Sequence, residues 1–243
     1  TSASRQTFVS GKAAMLSGAA LREMVLRHGN VDSGAMIDFD GSTLLLEDAA
    51  GGIAHIDLSG LPLNDFGYVF MAEETYDPPT SPLDDKGQGI PYAVFGYGAQ
   101  IMELSVDCVL GQVKLETVTT AHDVGRAINP LLIEGQIEGG VAQGIGLALM
   151  EDYQPGRTEN LHDYLIPTIG DIPEFNHVII EVPDEEGPYG AKGLGEHVLI
   201  PTAPAILNAI RHATGASVFD LPATPDKICA AINALEEKAK RSG

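Results

Sequence analysis

Three scarcities narrow the reading of this 243-residue chain: cysteine, basic residues and long apolar runs. Cys108 and Cys229 are too few for a disulfide framework and form no CxxC knuckle. The seven histidines are scattered singly and none stands at HExxH spacing, so the residues support no protein-ligated metal site. Fourteen basic against 34 acidic residues give a net charge of −20. A phosphate backbone would be repelled over most of such a surface, which argues against nucleic acid. The acidity suits solubility in a cytoplasmic protein. No apolar run reaches the roughly 18 residues a membrane helix needs. The best candidate, Gly139 to Met150, is short and flanked by Glu138 and Glu151. The N-terminus shows no basic-then-apolar leader, so export is not indicated. Because the first residue is Thr1, the chain reads as a fragment or a processed product.

What is present is ordinary for a globular protein: 44% hydrophobic and 20% charged residues, enough for one large domain or two small ones. Gly11 to Arg27 has helical spacing and ends at His28-Gly29. The hydroxyl-rich Thr1 to Thr7 before it could form an anion site or simply cap that helix. Asp32 to Leu58 reads as a β-meander, with a hairpin turning at Gly41. Leu61 to Gly89 is mostly loop. Tyr92–Cys108 and Val113–Thr120 predict a long hairpin at the centre of a sheet. Pro130 then opens a helix over Leu131 to Tyr153, whose five glycines each cost about 1 kcal/mol. Close approach of a partner helix or of a cofactor would offset that cost, and Gln136 and Gln143 could point toward such a neighbour. His122 beside Asp123 sits at a strand end, where a histidine is more often structural than catalytic. A strand over Val178–Val182 and helices over Ala203–His212 and Thr224–Lys240 complete an α+β order without a regular βαβ repeat.

The stretch Gly187-Pro-Tyr-Gly-Ala-Lys-Gly-Leu-Gly-Glu196 carries the most chemical promise. It ends on one carboxylate and runs directly into an apolar segment that reads as a helix. A carboxylate at an apolar wall is desolvated, which raises its pKa and makes it a base near neutral pH. A glycine-rich turn ending on an exposed Glu196 is the simpler alternative. The loop is no Walker A, since Gly193 follows Lys192, and it lacks a dinucleotide fingerprint's third glycine. No GxSxG elbow is present.

Four stretches together resemble one family, the molybdenum hydroxylases of the xanthine dehydrogenase and aldehyde oxidoreductase type. They are Thr1-Ser-Ala-Ser-Arg-Gln-Thr7, Asp123-Val-Gly-Arg-Ala-Ile-Asn-Pro130, Glu134-Gly-Gln-Ile-Glu-Gly-Gly-Val-Ala-Gln-Gly144 and Gly190-Ala-Lys-Gly-Leu-Gly-Glu196. Their order resembles the C-terminal half of the molybdopterin-binding subunit, over nearly the whole chain and most weakly in Asp57 to Gly89. The resemblance implies an α+β fold of mixed sheets with packed helices, residues 1–243 forming two interleaved subdomains of that C-terminal region. It implies that Glu196 is the base beside molybdenum, drawing a proton from a hydroxyl on the metal so that oxygen attacks an electron-poor carbon while hydride passes to the sulfur held on the metal. Gln136 matches a glutamine near the cofactor. Thr1, Ser2, Ala3, Ser4, Arg5, Gln6 and Thr7 match the segment that holds the pterin and its phosphates, and Gly195 lets the backbone pass close to the metal. The implied cofactor is molybdopterin with molybdenum, in the cytosine dinucleotide form usual in bacteria, the metal held by the pterin dithiolene. Implied partners are the missing N-terminal half or another molybdopterin-binding subunit, together with iron–sulfur and FAD-bearing flavin subunits. A natural split subunit and an excised domain both fit, as do N-heterocycles, purines and aldehydes as substrates. A non-catalytic scaffold of the same fold is the competing function.

Overall fold

The structure, a computed structural model, describes residues 3–242, the side chain of Ser242 excepted. It divides into two compact units, one of residues 9–79 and one in which residues 3–8 join residues 80–242.

In the smaller unit, α1 (Gly11–Gly29) stops where Asn30 takes a left-handed φ of 53° and returns its N–H to the carbonyls of Arg27 and Leu26. Asparagine tolerates that conformation better than most residues, so the stop is local. Ser10, at the N-cap, makes no side-chain cap. The meander follows as β1 (Met36–Asp40), β2 (Thr43–Glu47) and β3 (Ile53–Asp57), antiparallel throughout in the order β1-β2-β3. The central strand alternates, burying Leu44 and Leu46 against Val25, Leu26 and Ile56. Residues 61–79 contain no helix or strand, as their proline and aspartate content predicts.

The larger unit is built on a second sheet. β4 (Gly98–Asp107) and β5 (Gln112–Asp123) form the expected hairpin, and β6 (Glu174–Ile180) pairs parallel to β5, which is therefore central. β5 runs on to Asp123, past the expected Thr120, and two strand starts differ from the sequence reading by more than a residue. The first strand begins at Gly98 rather than Tyr92, residues 92–97 being irregular. The last begins at Glu174 rather than Val178, because its first half, Glu174-Phe-Asn-His177, alternates and is less visible than the apolar run that follows it.

The parallel pair needs a crossover, supplied by α2 (Pro130–Leu149). Asn129 caps it by accepting from the Leu132 N–H, and Pro130 occupies its first turn as expected. The next helix, α3 (Thr202–Thr214), begins within a residue of the expected Ala203, and the apolar residues from His197 that lead into it are not helical. Residues 196–201 form successive turns instead, with Leu199 N–H bonding Glu196 O at 3.2 Å and Thr202 N–H bonding Leu199 O at 3.1 Å. α4 (Pro225–Ser242) closes the unit. One continuous core joins these elements through Val118, Ile137, Val141, Ile145, Val198 and Ile206.

The glycines of α2 fall into two kinds. A Cβ on Gly144 would stand 2.4 Å from Thr202 Cβ, and one on Gly140 would stand 2.9 Å from Val198 Cβ. Those two positions let the start of α3 approach the helix backbone. Gly135 and Gly139 meet nothing within 4 Å. Gly144→Ala is therefore expected to lower stability by about 1–3 kcal/mol through overpacking, while Gly139→Ala raises it by up to about 1 kcal/mol through helix propensity. Urea denaturation of the two variants should shift the midpoint in opposite directions; equal shifts would contradict this division.

Candidate cofactor site

β5 runs into the interior, and its last residues, His122 and Asp123, are both buried. The Asp123 carboxylate meets Lys192 Nζ at 2.6 Å, and the other carboxylate oxygen accepts the Gly125 N–H at 3.0 Å. Burial opposes ionisation of Asp123, but the hydrogen bonds from Lys192 and Gly125 outweigh it and hold the carboxyl below the usual carboxylate range. Backbone bonds run beside the pair: Lys192 N–H to Val124 O at 2.9 Å and Arg126 N–H to Gly190 O at 2.8 Å. The strand end and the glycine-rich loop are thus zipped together around one buried ion pair.

The N-terminal segment is fixed to the far end of the same loop. Ser4 Oγ accepts the Glu196 N–H at 2.7 Å. A Cβ on Gly193 would lie 1.9 Å from the Ser4 carbonyl oxygen, so only glycine fits there. Ala3 and Ser4 have φ of 53° and 54°, a left-handed conformation costing about 1 kcal/mol per residue. Two successive non-glycine residues in that region mark a segment held by its surroundings.

Between these anchors lies a cavity of about 320 Å³. Thr7, Arg126, Gln136 and Gly195 reach it, over an apolar lining that includes Val124 and Leu194. All four stretches singled out in the sequence contribute to it. Of the expected residues, Thr7, Gln136 and Gly195 line the cavity, Ser4 supports its wall, and Glu196 follows Gly195 at its edge. Ala3, Arg5 and Gln6 are exposed and do not line it. Thr1 and Ser2 lie outside the described residues. Glu196 is exposed, not desolvated, because the apolar segment after it turns inward at Val198, which is fully buried, and leaves the carboxylate uncovered. Sequence reasoning missed Asp123, Lys192 and Arg126. Lys192 reads in sequence as a loop lysine outside any phosphate-binding motif and Asp123 as the neighbour of His122, although a lone lysine in a glycine-rich loop invites a search for its carboxylate.

Residues 1–173 match the family model described as the molybdopterin cofactor-binding domain. The chain belongs to the molybdenum hydroxylase family. It is 32% identical over 241 residues to the xanthine dehydrogenase molybdenum-binding subunit of Escherichia coli O157:H7, a match covering 93% of this chain and 30% of that one. It is 40% identical over 153 residues to the aldehyde oxidoreductase of Megalodesulfovibrio gigas, covering 61% of this chain and 16% of the relative. A solved structure of the aldehyde oxidoreductase from Desulfovibrio gigas superposes with a TM-score of 0.76 at 30% identity, covering 96% of this chain and 23% of that one. The chain therefore spans less than a third of the length of each of these relatives.

In this molybdenum hydroxylase chain two histidines pack together next to the ion pair and the loop, outside the cavity lining. The rings of His122 and His197 lie 5.1 Å apart, and Gln100 Nε2, 3.3 Å from His122 Nε2, donates to Val198 O at 2.9 Å. Nδ1 of His122 and Nε2 of His197 are buried without a hydrogen-bond partner among the described residues. Burial, with the neighbouring His197, pushes His122 down to about 4. Burial likewise lowers His197, against the opposing effect of its bond to Gly193. Both imidazoles are therefore neutral at pH 7. No described helix is long and apolar enough to cross a membrane, and no cluster of His, Cys, Asp or Glu among the described residues could hold a metal ion.

The pH dependence of stability follows. Between the unfolded histidine value near 6.5 and the folded value of about 4, the unfolded chain binds more protons than the folded one. The His122 contribution is thus full above about pH 6.5 and is lost as pH falls toward 4. Asp123 adds stability above the ordinary carboxylate range, lost only at lower pH still. The urea midpoint should fall from pH 7 to pH 4.5, and His122→Gln should flatten that slope. An unchanged slope in the variant would contradict a neutral buried His122.

Proposed function

We propose that this chain carries the base-bearing part of a molybdenum hydroxylase active site. The reaction oxidises an electron-poor carbon of an aromatic N-heterocycle, purine or aldehyde, with water as oxygen source. Electrons then pass to iron–sulfur and flavin partners. The observation that supports this reading is the convergence of residues from Thr7, Arg126, Gln136 and Gly195 on one cavity whose edge carries Glu196.

The residues fit a molybdenum–pterin group. Hydroxyls of Ser4 and Thr7 and the left-handed backbone at Ala3 and Ser4 present polar groups near the cavity. The Gln136 amide can donate into it, and Gly195 leaves its rim without a side chain. When bound, the group supplies a Lewis acid and a two-electron acceptor. Glu196 supplies the proton acceptor: its carboxylate takes a proton from the attacking oxygen nucleophile. Ser4, through its bond to the Glu196 N–H, sets where that carboxylate stands. Burying a carboxylate strengthens it as a base, and the N-terminal half of the subunit, or a separate molybdopterin-binding partner, would provide the cover that residues 196–201 do not. The cytosine dinucleotide form of the pterin and a cytoplasmic setting belong to this same reading.

In the assembled enzyme, Glu196→Gln is expected to lower kcat by about 10²–10⁴-fold, the range of a general base, with molybdenum content unchanged. Steady-state turnover and elemental analysis on the same preparation check this. Retained turnover would remove Glu196 as the base.

A further inference from the structure

One lining residue of the cavity has no role in the reading above. Arg126 is exposed at its rim, and its guanidinium makes no hydrogen bond or ion pair among the described residues. Its backbone, by contrast, is pinned: Arg126 N–H bonds Gly190 O at 2.8 Å, and Ala127 N–H bonds Glu181 Oε2 at 2.8 Å. The side chain is therefore presented from a fixed point. Glu181, which holds that neighbouring N–H, makes no ion pair with Arg126.

Of the described arginines only Arg241 pairs with a carboxylate, so Arg126 is set apart by its place on the cavity lining. The other cation lining the cavity, Lys192, is neutralised by Asp123 at 2.6 Å. The start of α2 offers no substitute donor at Leu132 or Ile133, whose N–H groups bond the Asn129 side chain and carbonyl. Guanidinium is the group best shaped for two parallel hydrogen bonds to an oxyanion. Thr7 and Gln136 add a hydroxyl and an amide, and Val124, Ile128 and Leu194 leave the remaining wall apolar.

We infer that Arg126 makes this cavity an oxyanion subsite, taking a phosphate or carboxylate group of a ligand whose body lies against the apolar wall. The subsite itself rests on the cavity and its charges. Only the source of the oxyanion, a cofactor phosphate or a substrate carboxylate, rests on the proposed function.

Pyrophosphate and benzoate serve as probes, titrated calorimetrically at low salt into the 243-residue chain, native and as Arg126→Ala, Arg126→Lys and Arg157→Ala. Far-UV circular dichroism checks that each variant is folded. Native chain should bind pyrophosphate, Arg126→Ala should bind at least tenfold more weakly, and Arg126→Lys should fall between because a point charge replaces the fork. Arg157→Ala, altered in a separate loop, should match the native chain. Pyrophosphate bound well ahead of benzoate identifies a cofactor phosphate as the source; benzoate bound equally through Arg126 identifies a substrate carboxylate. No binding by the native chain, or equal binding by Arg126→Ala, overturns the subsite. Arg126-dependent binding in a protein whose native assembly lacks molybdenum would keep the subsite and reject the hydroxylase reading.

Discussion

The buried contact between Asp123 and Lys192 is the constraint on which the site depends. The two residues lie 69 positions apart, one at the end of the central strand and the other in the glycine-rich loop. Neither charge is tolerable alone in that interior. Removing one partner of such a pair typically costs 3–5 kcal/mol, because the remaining charge is left buried and uncompensated. A pair of this kind contributes less to net stability than to uniqueness of arrangement, since few other placements of the loop satisfy both groups. With the loop fixed at Lys192, the chain must pass Gly193 and Gly195 before it reaches Glu196, and the space available there is what Ser4 occupies.

A second constraint is steric. Gly144 and Gly140 bring the start of α3 against α2, and Gly193 brings Ser4 against the loop. Each is a place where a single methyl group would displace a neighbour. The interior between them holds two neutral histidines and a glutamine in place of a purely apolar filling, with Gln100 bridging Val198 and Thr202. These polar groups fix the turn over residues 196–201 by hydrogen bonding, where apolar packing alone would leave its position less specified.

Much of the fold was legible because its signals are local. The Gly41 hairpin, the Asn129-Pro130 helix start and the end of α1 near Gly29 each rest on turn or cap chemistry contained in a few residues. The start of α3 was legible too, but the inward turn of the apolar residues just before it was not, because such a run is indistinguishable in sequence from one that begins a helix. For the same reason the exposure of Glu196 was hidden: whether Val198 covers the carboxylate or points away from it depends on turns set by Gln100 and Thr202, about 100 residues apart. The ion pair between Asp123 and Lys192 was equally invisible, since each residue has an innocent local reading. The convergence of the four stretches, however, was legible from their order, which resemblance to the family supplied and composition did not. Unit by unit, the sequence stated which residues belong together and left open what covers them.

The coverage of the relatives gives the remaining question its form. A chain that spans 30% of an Escherichia coli molybdenum-binding subunit holds a cavity edged by an open carboxylate, and the rest of such a subunit is the natural source of its cover. The most direct measurement is molybdenum per chain, by elemental analysis, on protein purified gently from its native source with its partners attached. Close to one molybdenum per chain, together with a larger co-purifying partner, is the expected result. An intact native assembly free of molybdenum would contradict the cofactor site and leave a scaffold of the same fold.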